Sequence, residues 1–303
     1  MQALWMVMAA FFFATMGVCI KFASVAFNAA EMVFYRGIIG IIFMAVLARS
    51  QHVALSTRYP GMHAWRSAIG VTSMMAWFYA ISKLPLATAM TLNYMSSVWI
   101  AAFLVGGAML TWRPGRDNTA PPMQMSLVLT VLAGFAGVVM MLRPSLNQSE
   151  IFGGLIGLLS GMSSAFAYMQ VMALSRLGEP ETRTVFYFAV GSTVAGAVGM
   201  LITGLSPWDW NAAVWLVPIG VLAALGQLSM TRAYSLVRSK GEMLVVAHLQ
   251  YSGIVFAGIY STVVFSDDIA LIGWIGMAVI IVSGIVVTLL RTRAAPDAPA
   301  EEH

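Results

Sequence analysis

Residues 245–260 read VVAHLQYSGIVFAGIY, an apolar run that carries a histidine, a glutamine and a tyrosine within four positions. The run lies inside segment 243–264, which has no charged residue. A helix needs about 20 mostly apolar residues to cross a bilayer, and this segment is long enough. It therefore predicts a transmembrane helix with polar side chains in the membrane interior.

Segments of similar length and character recur along the whole chain. Hydrophobic residues make up 60% of the 303 residues and charged residues 9%, whereas an ordinary soluble domain has about 25% charged residues. The composition indicates an all-α integral membrane protein in which short polar connections separate ten transmembrane helices. Their approximate spans are 3–22, 31–48, 64–83, 87–110, 125–142, 153–175, 184–204, 212–236, 243–264 and 270–290.

The basic residues are distributed unevenly between the two ends of these spans. Positive residues favour the cytoplasmic side, so the asymmetry predicts a multi-pass protein of a bacterial-type inner (plasma) membrane with both termini in the cytoplasm. With that orientation, eleven basic residues fall on the cytoplasmic side: Arg49, Arg58, Arg66, Arg113, Arg116, Arg176, Arg183, Arg238, Lys240, Arg291 and Arg293. Four fall on the opposite side: Lys21, Arg36, Lys83 and Arg143.

The fourth and ninth spans resemble each other when they are superposed with an offset of 157 residues. LNYMSSVWIAA (92–102) then lies over LQYSGIVFAGI (249–259), and both start with leucine, an amide residue and tyrosine. Five helices per half force the second copy to run through the membrane in the opposite direction, as in many secondary transporters. We predict two inverted five-helix repeats, 1–145 and 146–291. The cytoplasmic tail, 292–303, is too short and polar to fold alone and is predicted to be disordered.

Several motifs resemble the EamA family of ten-helix drug/metabolite transporters. The first half carries EMVFYRG (31–37), WFYAISKLPLATAMTLNY (77–94) and AGFAGVVMMLRP (133–144). The second half carries GQLSMTRAYSLVRSKGEMLVVAHLQYSGIVFAGIYSTVVFSDD (226–268) and IGWIGMAVIIVSGI (272–285). The proline often found midway along the fourth and ninth helices of this family is absent, and those regions hold Ser96, Ser97, Ser252 and Gly253.

The resemblance implies two inverted repeats around a central cavity, lined mainly by the first, third, fourth, sixth, eighth and ninth helices. It also implies that a small metabolite passes by alternating access, with export the commoner direction in the family. We therefore expect a secondary transporter for a small organic metabolite, such as an amino acid or a vitamin-like compound. The expected partners are that substrate and membrane lipid, with no cofactor, and the protein is expected to be a monomer or a homodimer.

Polar side chains inside a bilayer are costly unless they face protein or a water-filled cavity, so each is a candidate for the substrate path. His248, Tyr251 and Ser252 follow helical i, i+3, i+4 spacing and share one face. Gln250 points instead towards a neighbouring helix or the edge of the cavity. Because such groups also form hydrogen bonds between helices, the shared face predicts either a cavity lining or a helix contact.

The other candidates are aromatic and amide side chains, which suit an organic ligand. Asn93 and Tyr94 repeat the amide–tyrosine pair of the ninth span, and inversion places one pair towards each mouth of the cavity. Further candidates lie on the third, sixth and eighth spans: Trp77, Tyr79, Tyr168, Gln170, Gln227 and Arg232.

Charged residues bear on how transport is driven. No Asp or Glu lies mid-membrane in any predicted span, so a carboxylate proton relay is poorly supported and facilitated exchange or uniport is favoured. His248 is the one titratable candidate for proton coupling. Lys21, Arg36 and Arg232 lie a few residues from a membrane face, where their side chains can snorkel to water.

The sixth span carries two overlapping GxxxG steps at Gly153, Gly157 and Gly161. Such spacing lets helices approach closely. It predicts packing within the bundle, with dimerisation as the alternative.

Other function classes are less well supported. An enzyme would need a cluster such as HExxH, paired carboxylates or a nucleophile elbow, and none occurs in the sequence. The ATP-binding pattern GxxxxGK[ST] is absent, the histidines are too dispersed for a metal site, and scattered basic residues argue against a nucleic-acid partner. A channel-like permease and a lipid flippase are the alternatives to a carrier.

Overall fold

The computed structural model describes residues 2–96, 98–99, 102–103, 125–142, 148–236, 246 and 248–294. Every regular element in these ranges is helical. The helices are α1 (Gln2–Ala23), α2 (Ala29–Ser50), α3 (Pro60–Lys83), α4 (Leu86–Asn93), α5 (Met125–Leu142), α6 (Gln148–Arg176), α7 (Glu181–Thr203), α8 (Leu216–Ser235), α9 (Ser252–Val263) and α10 (Leu271–Ala294). A single helical turn, Trp210–Ala213, precedes α8.

Five described stretches are long and apolar enough to cross a membrane. They are Gln2–Ala23, Ala29–Ser50, Glu150–Val171, Glu181–Thr203 and Trp210–Ala233, and shorter apolar helices cover Val128–Met140, Ser252–Val263 and Leu271–Val287. Large apolar side chains such as Val46, Leu201 and Val263 are exposed on the outside. A surface of this kind is suited to lipid, and the whole is typical of a multi-pass membrane protein.

The helix ends differ from the predicted spans at two places that matter. α3 begins at Pro60 rather than at 64, so Arg66 lies in the second turn of the helix instead of at its start. α10 continues to Ala294, so residues 292–294 of the predicted disordered tail are helical. The rest of that tail and the connection around residues 104–124 lie outside the described residues.

The sequence predicts one continuous helix over 87–110, but the fourth span is interrupted. α4 ends at Asn93, and Tyr94 and Met95 form a turn in which the Met95 N–H donates to the Leu92 carbonyl at 3.3 Å. A bond from i to i−3 tightens the chain relative to an α-helix. The predicted span is therefore interrupted, although no proline is present.

The ninth span has a corresponding interruption. Gln250 and Tyr251 form a turn in which the Tyr251 N–H donates to the His248 carbonyl at 3.1 Å, and α9 starts only at Ser252. The two turns share one superposed position, because the offset of 157 residues places Tyr94 over Tyr251. They also face each other, because a Cβ at Gly253 would lie 2.7 Å from the Tyr94 hydroxyl oxygen.

The helices pack in a regular set of pairs. The pairs are α1 with α8, α2 with α7, α3 with α6, α4 with α9, and α5 with α10; further contacts join α1 with α9, α2 with α8, α3 with α7, and α4 with α6. Each pair joins one helix from residues 1–145 to one from residues 146–294. The two halves are thus interleaved around a shared core, and methionines such as Met16, Met32 and Met90 fill it.

The glycines of α6 pack inside the bundle, as predicted. A Cβ at Gly157 would lie 2.8 Å from the Leu92 side chain, and a Cβ at Gly161 would collide with the Leu92 carbonyl oxygen. Glycine at these positions therefore lets α6 approach α4 closely beside its interruption.

A separate polar network joins helices at each end of the bundle. We call the end with the α1–α2, α7–α8 and α9–α10 connections the odd end. There, Glu31 caps α2 with Asn28 and accepts hydrogen bonds from the Ser206 N–H and hydroxyl at 2.7 Å each. Lys21 pairs with Asp267 at 3.0 Å, which joins α1 to the α9–α10 connection.

The opposite end, with the α2–α3 and α6–α7 connections, we call the even end. The carboxylate of Glu179 accepts hydrogen bonds there from Arg183 at 3.0 Å and Thr57 at 2.9 Å, and it contacts His63 Nε2 at 3.2 Å. Burial alone would raise the pKa of Glu179, but its hydrogen bonds with Arg183, Thr57 and His63 outweigh burial and lower the pKa. The ionised carboxylate therefore stabilises this end.

Candidate substrate cavity

A narrow cavity lies inside the bundle, between the two interruptions. Its described lining comes from α1, α2, α3, α6, α7 and α8 and from the turns beside α4 and α9. The open space is about 90 Å³, whereas a pocket that encloses a drug-sized ligand has roughly 300–1,000 Å³. The helices must therefore separate before an organic metabolite can enter.

Asn93 anchors one wall of the cavity. Its side-chain nitrogen donates to Ser160 Oγ at 3.1 Å and to Ser164 Oγ at 3.2 Å, both on α6. Ser164 Oγ is also 2.7 Å from Ser73 Oγ on α3. This chain of hydrogen bonds fixes the end of α4 against α3 and α6, so the amide has a structural role in addition to its place in the lining.

Gln250 and Tyr168 form a second contact in the lining, one helical turn along α6 from Ser164. The Gln250 side-chain nitrogen donates to the Tyr168 hydroxyl oxygen at 3.3 Å, which connects the turn before α9 to α6. The two predicted roles of Gln250, a contact with a neighbouring helix and a place at the cavity edge, are thus both present. Tyr94 also lines the cavity and is buried.

Two arginines enter the cavity beside these residues. Arg36 on α2 and Arg66 on α3 are only 5% and 6% exposed, and both line the cavity. Their guanidinium carbons lie 5.2 Å and 4.1 Å from the centroid of one ring, that of Phe188 on α7. An arginine over an aromatic face gains a cation–π attraction of about 0.5–2 kcal/mol.

The structure brings together half of the predicted site residues. Asn93, Tyr94, Tyr168, Gln227 and Gln250 all line the cavity, and so does Trp77. Their side chains come from α3, α6, α8 and the two interruptions. Positions far apart in sequence therefore meet at one place, near the middle of the bundle.

The ninth-span residues His248 and Tyr251 are not among the described lining residues. His248 forms a hydrogen bond with the backbone of Ile285 on α10, and Tyr251 is buried in the apolar core. The expectation of one cavity face shared by His248, Tyr251 and Ser252 assumed a regular helix. The turn at residues 250–251 changes the register, so Gln250 points into the cavity instead.

Three other predicted residues also lie outside the cavity. Tyr79 packs its ring edge-on against Phe152 near the odd end, with ring centroids 5.8 Å apart. Gln170 is partly buried on α6, and Arg232 is exposed on α8. Tyr79 and Arg232 each lie two positions after a lining residue of the same helix, Trp77 and Met230, and positions two apart face different sides.

Sequence reasoning did not select Arg36 and Arg66 as site residues. Arg36 was expected to snorkel to water and Arg66 to lie in a cytoplasmic connection, but both side chains are buried against Phe188. Gly70 makes room for this arrangement, because a Cβ there would collide with Arg66 Nη1. The only signal in the sequence is a glycine one helical turn after an arginine, which is too common to identify a site.

A multi-pass helical bundle with a polar cavity at its centre is the architecture of a membrane transporter. Residues 1–114 match the EamA-like transporter family. The chain belongs to this family within the drug/metabolite transporters, and the resemblance noted from its motifs is confirmed.

Relatives support this assignment, and a solved structure shares the fold. The chain is 32% identical over 250 residues to the pseudopaline exporter CntI of Pseudomonas aeruginosa, a match that covers 82% of each chain. It is 25% identical over 209 residues to a riboflavin transporter of Brucella anthropi, covering 67% of this chain and 69% of that one. A crystal structure of another protein, 17% identical in sequence, aligns with 96% of this chain and 98% of its own length. The TM-score is 0.63, so the two proteins share a fold.

Proposed function

We propose that the protein is a secondary transporter that moves a small organic metabolite across the inner membrane by alternating access. The observation that carries this proposal is the central cavity, where buried aromatic and amide side chains from both halves surround one space. Two relatives are named for the transport of organic compounds, pseudopaline and riboflavin. Export is the favoured direction, since the relative with 32% identity is an exporter.

The proposed architecture is two inverted five-helix repeats, residues 1–145 and 146–291. The pattern of packed helix pairs is unchanged when the two halves are exchanged, so that α1–α5 take the places of α6–α10 and the reverse. Under this exchange the α1–α8 pair becomes α6–α3, α2–α8 becomes α7–α3, and α1–α9 becomes α6–α4. The interruptions at Tyr94 and Tyr251 are also equivalent under this exchange. Discontinuous helices at the interface of two repeats recur at the binding sites of secondary transporters.

The proposed substrate path uses the five predicted residues that meet in the cavity, namely Asn93, Tyr94, Tyr168, Gln227 and Gln250. Alternating access requires the bundle to open at one end while the other stays closed. The Lys21–Asp267 pair and the Glu179 network are suited to hold the odd and even ends closed.

We propose that the even end is cytoplasmic. Without the two buried arginines, Arg36 and Arg66, ten basic residues are still assigned to that side, against three on the other side. Reporter fusions after residues 118 and 206 test this orientation. A cytoplasmic signal at 118 and a periplasmic signal at 206 are expected, and the reverse would overturn it.

The function is tested by comparing metabolites in cells that overproduce the protein with those in cells that lack it. At least one small organic compound should differ between cells and medium. The compound is then tested in proteoliposomes, where a carrier shows saturable counterflow and a channel carries current instead. The absence of any differing compound would contradict the proposal.

A further inference from the structure

Among the described residues, the two cavity arginines lack the partners that buried charges normally have. Arg36 makes one long hydrogen bond, from Nη1 to Ser192 Oγ at 3.4 Å, while its Nε is buried without a partner. Arg66 Nε and Nη1 are also buried without a partner. Burying a charge that is neither paired nor fully hydrogen-bonded costs several kcal/mol, so these positions need a compensating group.

No carboxylate in the described part of the chain supplies that group. Glu31 binds Ser206 at the odd end, Asp267 binds Lys21 there, and Glu179 binds Arg183 at the even end. The described ion pairs therefore leave both cavity guanidiniums without a counter-ion. Their positive charges also repel each other, which strengthens the need for an anion.

The geometry holds these charges at the cavity rather than against lipid. The ring of Phe188 lies within 5.2 Å of both guanidinium carbons, and the absence of a side chain at Gly70 lets Arg66 lie along α3. Guanidinium groups present planar pairs of N–H donors that fit the oxygens of carboxylates and phosphates. The two groups thus form a fixed, desolvated site for an oxyanion.

The other lining residues indicate the chemistry of the part of the ligand that lies beyond its anionic group. Phe13, Trp77 and Met230 provide apolar and aromatic surface, while Gln227 and Gln250 provide neutral polar groups. A ligand that satisfies both parts has a negatively charged head and an apolar or aromatic body.

We propose that Arg36 and Arg66 bind an oxyanion group of the substrate, and that the substrate is an organic anion with a carboxylate or phosphate group. This assignment rests on the proposed transport function and specifies its substrate class. Arg66 and Arg36 contact the anion directly, whereas Gly70 acts as a positioning residue for Arg66.

The test measures binding to purified full-length protein in lipid nanodiscs, in a buffer free of carboxylate and phosphate. The probes are 3-phenylpropionate, phenyl phosphate and the uncharged 3-phenylpropionamide, followed by calorimetry or by tryptophan fluorescence. At least one anionic probe should bind about tenfold or more tightly than the amide, because charge-assisted hydrogen bonds are strong. Comparison of the two anions distinguishes a carboxylate from a phosphate site.

Variants test whether the preference for anionic probes depends on Arg36 and Arg66. Arg36→Gln and Arg66→Gln should each abolish it, whereas Arg49→Gln, at an exposed arginine of α2, should retain it. Arg66→Lys keeps the charge without the planar donors, and Gly70→Ala keeps the arginine but displaces it, so both should reduce the preference in folded protein. Monodispersity and thermal unfolding establish that each variant is folded.

Equal binding of the amide and both anions by the wild type would overturn the assignment, as would an anion preference that survives both glutamine variants. The metabolite comparison separates this result from failure of the transport function. If the transported compound is neutral or cationic and the protein shows no anion preference, the transport function is supported and the anion site is refuted. An arginine-dependent anion preference without any transported compound supports the site and refutes the transport function.

Discussion

At the scale of single residues, the cavity is organised by a few hydrogen bonds between helices that are distant in sequence. Tyr168 and Gln250 form one of them, and Asn93 with Ser160 and Ser164 forms another. In membrane proteins such a bond contributes about 0.6–2 kcal/mol. These side chains therefore position the walls of the cavity as well as presenting polar groups to it.

Tyr168→Phe removes the hydroxyl that accepts the hydrogen bond from Gln250. We expect the free energy of unfolding to fall by about 0.6–2 kcal/mol and transport per folded molecule to change, since the turn before α9 loses its fixed position. Thermal unfolding and counterflow measure the two effects. Tyr79→Phe, at a tyrosine outside the cavity, is the matched control, and equal effects of the two substitutions would contradict this role for Tyr168.

At the scale of elements, α6 is held against α4 by contacts that need glycine. Gly161 faces the backbone carbonyl of Leu92, just before the turn at Tyr94. A backbone atom cannot move aside as the end of a flexible side chain can. The packing of this pair of helices therefore fixes the place where the fourth span is interrupted.

Gly161→Ala forces α6 and α4 apart. Overpacking of this kind costs about 1–3 kcal/mol, so we expect a clear fall in the melting temperature. Gly61→Ala on α3 is the control, because a Cβ there has no neighbour within 4 Å. If both variants melted at the temperature of the wild type, close packing at Gly161 would be refuted.

The Glu179 network makes the stability of the even end depend on pH. The folded-state pKa of Glu179 lies below its ordinary value of 4.5, so the ionised carboxylate stabilises the fold above that pH. This stabilisation is lost as the pH falls below 4.5 through the lowered pKa. The Glu179→Gln variant lacks this contribution at every pH. The difference in free energy of unfolding between the variant and the wild type should therefore be smaller in acid than at neutral pH.

Thermal unfolding of both proteins across this pH range measures the effect. Glu181→Gln, two residues further along and in the first turn of α7, is the control for removal of a nearby carboxylate. A difference between Glu179→Gln and wild type that stays constant with pH would contradict the assignment.

At the scale of the whole molecule, contacts between the two halves lie at both ends of the bundle. Lys21 on α1 and Asp267 before α10 provide such a contact at the odd end. Both side chains are about one-fifth exposed, so the ion pair is largely shielded from water and loss of one partner leaves a mostly buried charge unpaired. The effect of that loss should also be seen in the balance between open and closed states.

Lys21→Met and Asp267→Asn should therefore change the counterflow rate and also lower the melting temperature, since each leaves one largely buried charge without its partner. The effects should be non-additive, because the double variant loses the same ion pair as either single one. Asp268→Asn, at the exposed neighbouring carboxylate, should behave like the wild type. Additive effects of Lys21→Met and Asp267→Asn would show that the two residues act independently.

The sequence by itself determined the class of the protein. Hydropathy identifies the membrane-spanning helices, since the length of an apolar run is a local property that the bilayer thickness sets. Motif order identified the family, and the amide–tyrosine pairs related the fourth span to the ninth. Asn93, Tyr94, Tyr168, Gln227 and Gln250 were selected because polar groups in a bilayer need a partner or a cavity.

Only the tertiary structure decided which of these polar groups face the cavity. A tightened turn at residues 250–251 directs Gln250 inwards and leaves His248 against α10. The ring of Phe188 and the space beside Gly70 together hold Arg66 at the cavity. The physical reason is that the direction of a side chain depends on local helix register and on neighbours far away in sequence, and hydropathy measures neither.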